Sequence, residues 1–437
     1  MKKFAILIFL CIILVISAVF PPMASAYTLP PDVEVFAKSV YMVNLETGMV
    51  VYQKDPNAIL YPASVVKLMT ALVAVEQCPN IKTGFAVYPQ VVEDLQNAKT
   101  DTFGLVAGEQ VTLEQMLNLM LVPSFCDASN AIAVQIGGSI DGFVKLMNEK
   151  AAALGMKNTR YTNAHGLHDA KQVTTAYDQY LLAREIIKHK ELVEICGQSS
   201  YTMPATNHHK EEQSFTTTNF MVNPFSDWFY KRVQGLKPGF SEEAGRNMVS
   251  LAEKDGQRYI TVVLGSPIEK VNGYHQHKEF DTTYNLLYWA YTELEYLTIA
   301  DVNQPVTELG VSWCKETDHV IVVPAEDFQA IVPKDAADST ILTPTLKKDR
   351  LLAPVKKGKV LGTATITCAG QEIGTVDLVA KNTCKLSFAM LIWSIVSHPI
   401  CLVLYGIIAV AAIAFLVWNV RVNYRRRRLW NSRSRRR

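Results

Sequence analysis

The chain has 437 residues, 49% of them hydrophobic and 19% charged, with 43 basic against 41 acidic side chains and a formal net charge of +2. That length is too great for one small domain and comfortable for two. The near-neutral total hides an uneven distribution. Nine arginines crowd the last 17 residues and Lys2 and Lys3 open the chain; the remainder is acidic by about nine charges. A body of that sign does not bind an acidic polymer electrostatically, so nucleic acid is excluded as a partner.

The N-terminus reads as a secretion signal, residues 1–26. Two lysines precede the apolar "FAILIFLCIILVISAVF", and Ala24-Ser25-Ala26 supplies a small-residue cleavage pattern. At the other end, 400–420 ("ICLVLYGIIAVAAIAFLVWNV") is long and apolar enough to cross a bilayer. The arginine-rich tail 421–437 follows it directly, which puts the tail in the cytoplasm and everything before the span outside. The segment 386–399 is too short to span and reads as interfacial, anchored by Trp393.

Between these ends, "SVYMVNLETGMVVYQKD" reads as a β-hairpin turning at Glu46-Thr47-Gly48. The stretch from Ser64 onward, "SVVKLMTALVAVE", is apolar nearly all round and predicts a helix buried on every side. "TLEQMLNLMLVPS" and "CDASNAIAVQIGG" predict two helices broken at Pro123. "IDGFVKLMNEKAAALGM" predicts an amphipathic helix closed by Gly155, and "TTAYDQYLLAREIIKH" another. Strands follow in "VQGLKPGF", "NMVSLAEKDG" and "RYITVVLGS", with a turn at Asp255-Gly256, and a last helix lies in "EFDTTYNLLYWAYTEL". From about 300 to 385, alternating strand-like runs predict a small all-β module. The order of elements implies an α/β first domain, 27–297, with a mostly antiparallel sheet, then a β-rich domain, 298–385.

The buried helix raises a chemical question. Ser64 and Lys67 stand three apart and share a face. Burial lowers a lysine pKa, and a neutral amine can accept a serine proton. Free N–H groups at a helix start favour developing negative charge. The alternative is a serine cap beside a snorkelling lysine. The bare spacing is weak: Ser312–Lys315 repeats it in a polar setting outside any apolar helix.

The surroundings add a resemblance. "YPASVVKLMTALVA", "MLVPSFCDASNAIA", "NEKAAALGMKNTRYTNAHGLHD" and "VQGLKPGFSEEAGRNMVSLAEKDGQRYITVVLGS", in that order, resemble the D-alanyl-D-alanine carboxypeptidases of the low-molecular-mass penicillin-binding proteins. The likeness covers essentially the whole chain. It implies a penicillin-recognising serine (β-lactamase-like) domain, a β-rich second domain and a C-terminal membrane attachment. It implies an acyl-enzyme mechanism on peptidoglycan stem peptides ending in D-Ala-D-Ala, β-lactam antibiotics as covalent inhibitors, and no cofactor. By the same resemblance Ser64 is the nucleophile, Lys67 its base, and Ser124 a proton relay to the leaving D-alanine. Cys126, Lys237, Gly239 and Phe240 line the substrate site, with the Ser64 and Phe240 N–H groups as the oxyanion hole.

Two positions depart from the family pattern. Its S-x-N element is Ser124-Phe125-Cys126 here, which exchanges an amide for a weakly donating thiol. Its K-T-G is Lys237-Pro238-Gly239, which loses a hydroxyl and a backbone donor; proline fits only an edge strand or bulge. Acylation is expected to survive and turnover to suffer. Lys82-Thr83-Gly84 is a formal K-T-G in the wrong place. His165, His168, His208 and His209 could tempt a zinc reading, but no H-E-x-x-H accompanies them. The family's carboxylate-binding cation is not identifiable, His277 and Lys278 being weak candidates. Among six cysteines of the outer domains, Cys368 and Cys384 are the only pair expected to bridge. A non-hydrolytic penicillin-binding homologue is the competing function. A β-lactamase is disfavoured because no E-x-x-L-N element supplies a base for deacylation.

Overall fold

The computed structural model describes residues 33–93, 95 and 100–434; the expected signal 1–26 and the final residues of the tail lie outside the described residues. Two compact units appear, one built mainly from residues up to Leu297 and one from Thr298 onward.

The first unit is organised by five antiparallel strands: β1 (Ser39–Asn44), β2 (Val50–Lys54), β3 (Val233–Ser241), β4 (Gly245–Lys254) and β5 (Gln257–Ser266), in the order β2-β1-β5-β4-β3. The β4–β5 turn is Asp255-Gly256, with φ of 52° and 79°. Both residues lie in the left-handed region that tight two-residue hairpins require. Strand β1 is buried along its whole length. Tyr41 and Val43 enter one core and Val40 and Met42 the other, so a period of two feeds two apolar layers.

Helices α1 (Val66–Gln77), α2 (Leu113–Leu121), α3 (Cys126–Gly137), α4 (Ile140–Ala153) and α5 (Ala176–Ile186) pack on one face of the sheet, and α6 (Lys278–Glu293) covers the other. Every residue of α1 from Val66 to Val75 is buried, as its unbroken apolar run predicts. A buried leucine there contributes about 1.5–3 kcal/mol of transfer free energy. Helix α2 opens with a capping box between Thr112 and Gln115. It stops before Pro123, and Ser124 turns the chain at φ 73° into α3.

In the second unit six strands form one sheet, and Cys314 bridges Cys384. This corrects the Cys368–Cys384 pairing expected from proximity in sequence. Topology decides it: Cys314 and Leu386 pair as an isolated antiparallel β-bridge, and Lys315 N–H donates to the Lys385 carbonyl at 3.0 Å. Cys368 is instead a buried free thiol. Beyond the sheet come an apolar helix, Phe388–Val396, and a long helix whose Pro399–Arg426 portion is long and apolar enough to cross a membrane.

Candidate active site

A 3₁₀ turn, Ala63–Val65, delivers Ser64 to the head of α1. Ala63 is held at φ 48°, a conformation that costs a non-glycine residue of order 1–3 kcal/mol. Surrounding contacts impose it. The Asn247 amide of β4 donates to the carbonyls of Tyr61 and Pro62 at 3.0 and 2.9 Å, while its oxygen accepts from Gly265 N–H. Gly166 and Gly239 press on the same turn from two sides. A Cβ on Gly166 would lie 2.2 Å from the Ala63 carbonyl oxygen, and one on Gly239 would lie 3.0 Å from Ser64 N. These approaches need glycine.

Lys67, wholly buried, reaches back along α1 to the serine. Its Nζ lies 3.2 Å from Ser64 Oγ, 2.5 Å from the His165 carbonyl oxygen and 3.6 Å from Cys126 Sγ. Burial lowers its pKa, with Cys126, Asp101 and Asp127 pulling the other way. The carbonyl can only accept, so it takes one amine hydrogen. A neutral amine then has its lone pair free for the serine O–H.

Across the cleft, β3 is the edge of the sheet, where Pro238 loses no pairing that the fold needs. Lys237 is fully buried and donates to Thr218 Oγ1 at 2.8 Å. Burial first, and the nearby Lys67 second, bring its pKa down to about 7. The third wall is the Ser124 turn. Phe125 wedges against Phe215 at 4.9 Å between ring centres. Cys126 Sγ sits 3.1 Å from Thr100 Oγ1. Asp127 accepts from the N–H groups of Phe103, Gly104 and Leu105, which fixes the loop beyond Asp101.

These walls enclose a cleft of about 650 Å³. Ser64, Ser124, Cys126, Lys237, Gly239 and Phe240 all line it, and Lys67 lies just beneath Ser64. Lys278 faces elsewhere, and Lys82-Thr83-Gly84 forms an exposed turn and strand start. His165 contributes its carbonyl to Lys67; His168 packs edge-on against Tyr61 at 4.8 Å.

The cleft also holds a cation that sequence reasoning missed. Arg246 pairs across the strands with Phe240 and lies under its ring at 4.8 Å. Its Nη1 is 3.4 Å from Glu279 Oε1 and 3.1 Å from His277 Nδ1. Arg246 Nε and Glu279 Oε2 meet no protein partner among the described residues. Buried polar atoms are nearly always paired, so this wall keeps hydrogen-bonding capacity. Cross-strand register, known only once β3 and β4 are paired, is the signal that finds Arg246.

Residues 24–267 match the D-alanyl-D-alanine carboxypeptidases of peptidase family S11. The chain belongs to that family. Residues 295–386 match the C-terminal domain of penicillin-binding protein 5. Among curated relatives, the carboxypeptidase DacF of Bacillus subtilis is 29% identical over 350 residues, covering 80% of this chain and 86% of DacF. DacA of Haemophilus influenzae is 25% identical over 358 residues, covering 81% and 86%. The solved carboxypeptidase DacD of Francisella tularensis shares the fold with a TM-score of 0.67 at 23% identity, covering 83% of this chain and 97% of that one.

Proposed function

We propose that this protein is a membrane-anchored serine-type D-Ala-D-Ala carboxypeptidase that removes the terminal D-alanine from peptidoglycan stem peptides and is acylated by β-lactams. The observation that carries the reading is Ser64 Oγ at 3.2 Å from the amine of a wholly buried Lys67. Lys67 takes the serine proton as Oγ attacks the carbonyl of the penultimate D-alanine. The Ser64 and Phe240 N–H groups receive the oxyanion, a contribution of about 2.7–4 kcal/mol per donor to the transition state. Ser124 passes a proton to the departing D-alanine, and water then releases the acyl group from Ser64.

The terminal carboxylate needs a cation, since Pro238 offers no hydroxyl. Lys237 and Arg246 both line the cleft, and the strand pairing sets Arg246 beside Phe240. The helix Pro399–Arg426 anchors the catalytic unit at the outer face of the membrane, with the tail inside.

Cys126 favours a second reading, an acylatable homologue that turns over poorly. Its sulfur stands where an amide would position the substrate backbone, and thiols make weak hydrogen bonds. One experiment separates the two. Intact mass after penicillin treatment should show an adduct that Ser64→Ala abolishes, and a D-Ala-D-Ala pentapeptide should release D-alanine. An adduct without release supports the second reading; no adduct removes both.

A further inference from the structure

We propose that the arginines just beyond the membrane span form a collar that binds the phosphate groups of anionic phospholipids in the inner leaflet. The inference rests on the membrane-anchored reading of the last helix and not on the catalytic reading. That helix runs unbroken over Pro399–Ser434, 36 residues or about 54 Å. The hydrocarbon core of a bilayer is about 30 Å thick, a length that 400–420 alone supplies. The helix therefore outruns the core, and it stays helical through four consecutive arginines, 425–428.

Aromatic residues set the depth of this run. Trp418 and Tyr424 are 60% and 67% exposed and bracket Arg421. Such rings favour the headgroup level, where the apolar body is buried and the polar tip is wet. Arg425 and Arg426, both exposed, follow Tyr424 directly. On an α-helix the Cα–Cβ bonds tilt toward the N-terminus, which here is the membrane. A guanidinium on a long apolar stem at these positions reaches back to the phosphate layer.

Three features select a phospholipid. Successive helix positions turn by about 100°, so 425–428 surround the axis within about 4.5 Å of its length. A protein partner would meet one side of such a collar, whereas a lipid shell meets every side. The tail 421–437 uses arginine throughout, without a lysine or an acid. The guanidinium fork engages phosphate oxygens in pairs, which an ammonium does not. Positions 421 and 425, and 425 and 428, also stand at helix spacings where like charges repel. Anionic headgroups supply the counter-charge that the tail itself lacks. Nucleic acid offers the same phosphate chemistry, but it would have to approach along a leaflet of its own sign.

The test uses the full chain in nanodiscs of equimolar phosphatidylglycerol and phosphatidylcholine, with native mass spectrometry counting the lipids that stay bound. Wild type should retain phosphatidylglycerol about fivefold over phosphatidylcholine, the selectivity of one arginine beside a charged headgroup. Replacing all four collar residues (R425Q, R426Q, R427Q, R428Q) should bring that ratio close to one. A second variant (R433Q, R435Q, R436Q, R437Q) removes equal charge farther from the bilayer and should keep about threefold selectivity. D-alanine release from a soluble peptide should be unchanged in both. Equal retention of the two lipids by wild type, or equal loss of preference in the two variants, overturns the proposal. So does binding of oligouridylate in phosphatidylcholine nanodiscs without a lipid preference in the mixed ones. A chain that enters no bilayer sinks the membrane reading and the collar together, whereas incorporation without preference sinks the collar alone. A chain that selects the anionic lipid but releases no D-alanine leaves the collar standing.

Discussion

The two long walls of the cleft were built in different ways. The α1 wall places Ser64 and Lys67 three residues apart on one rigid, fully buried helix, so its geometry is local. The β3–β4 wall draws Lys237, Pro238, Arg246, His277 and Glu279 from three elements spread over 43 positions, so its geometry is a product of strand pairing. The departures from the family pattern fall on the second wall and on the Ser124 turn, none on the first. A local pair that handles protons tolerates no change of spacing. On the proposed carboxypeptidase reading, a wall that only recognises a carboxylate could lose a hydroxyl at Pro238 and present the Arg246 guanidinium from the next strand instead.

The largest expected effect tests the first wall. Lys67→Ala should cut the rate of penicillin acylation by ~10²–10⁴, the range that a positioned general base supplies. Stopped-flow acylation measures it, and a loss under tenfold would mean that the local pair does not carry the proton. The second wall should respond more gently. Arg246→Gln combined with Glu279→Gln removes the guanidinium without stranding a buried carboxylate. Loss of one charged hydrogen bond, about 2 kcal/mol, should raise KM for the pentapeptide about thirtyfold with kcat nearly unchanged. A fall in kcat instead would assign Arg246 to the chemistry.

Cys126 lies between the walls, 3.6 Å from Lys67 Nζ, and its replacement tests which wall limits turnover. Cys126→Asn should raise kcat for D-alanine release about fivefold, worth roughly one neutral hydrogen bond. No change would shift the handicap to Pro238.

This contrast also explains what the sequence disclosed. The hairpin, the buried α1 and the break at Pro123 follow from periodicity and turn chemistry over a few residues. The Ser64 and Lys67 pair was visible because three residues on a helix always share a face. Arg246 was not, since it enters the cleft only by pairing with Phe240, and no local pattern records register. Asn247 was missed for the same reason: its three bonds go to Tyr61, Pro62 and Gly265, up to 186 positions away. The disulfide failed likewise, because Cys314 meets Cys384 across a separation of 70 residues.

The smallest effect concerns the charge on the second wall. Lys237 is buried beside Lys67, and its pKa is brought down to about 7 from 10.5 in the unfolded chain. Between those values the unfolded chain holds a proton that the folded one has released, so this group makes stability rise with pH over that window. Carboxylate binding should move in the opposite sense. As Lys237 discharges, KM for the pentapeptide should climb about threefold between pH 6.5 and 7.5, the change in its protonated fraction. Lys237→Arg keeps its charge throughout and should flatten that limb. The two lysines interact, so the limb reports the pair as well as Lys237 itself. If the alkaline limb persists unchanged in Lys237→Arg, Arg246 alone holds the carboxylate, and the second wall works through β4 rather than β3.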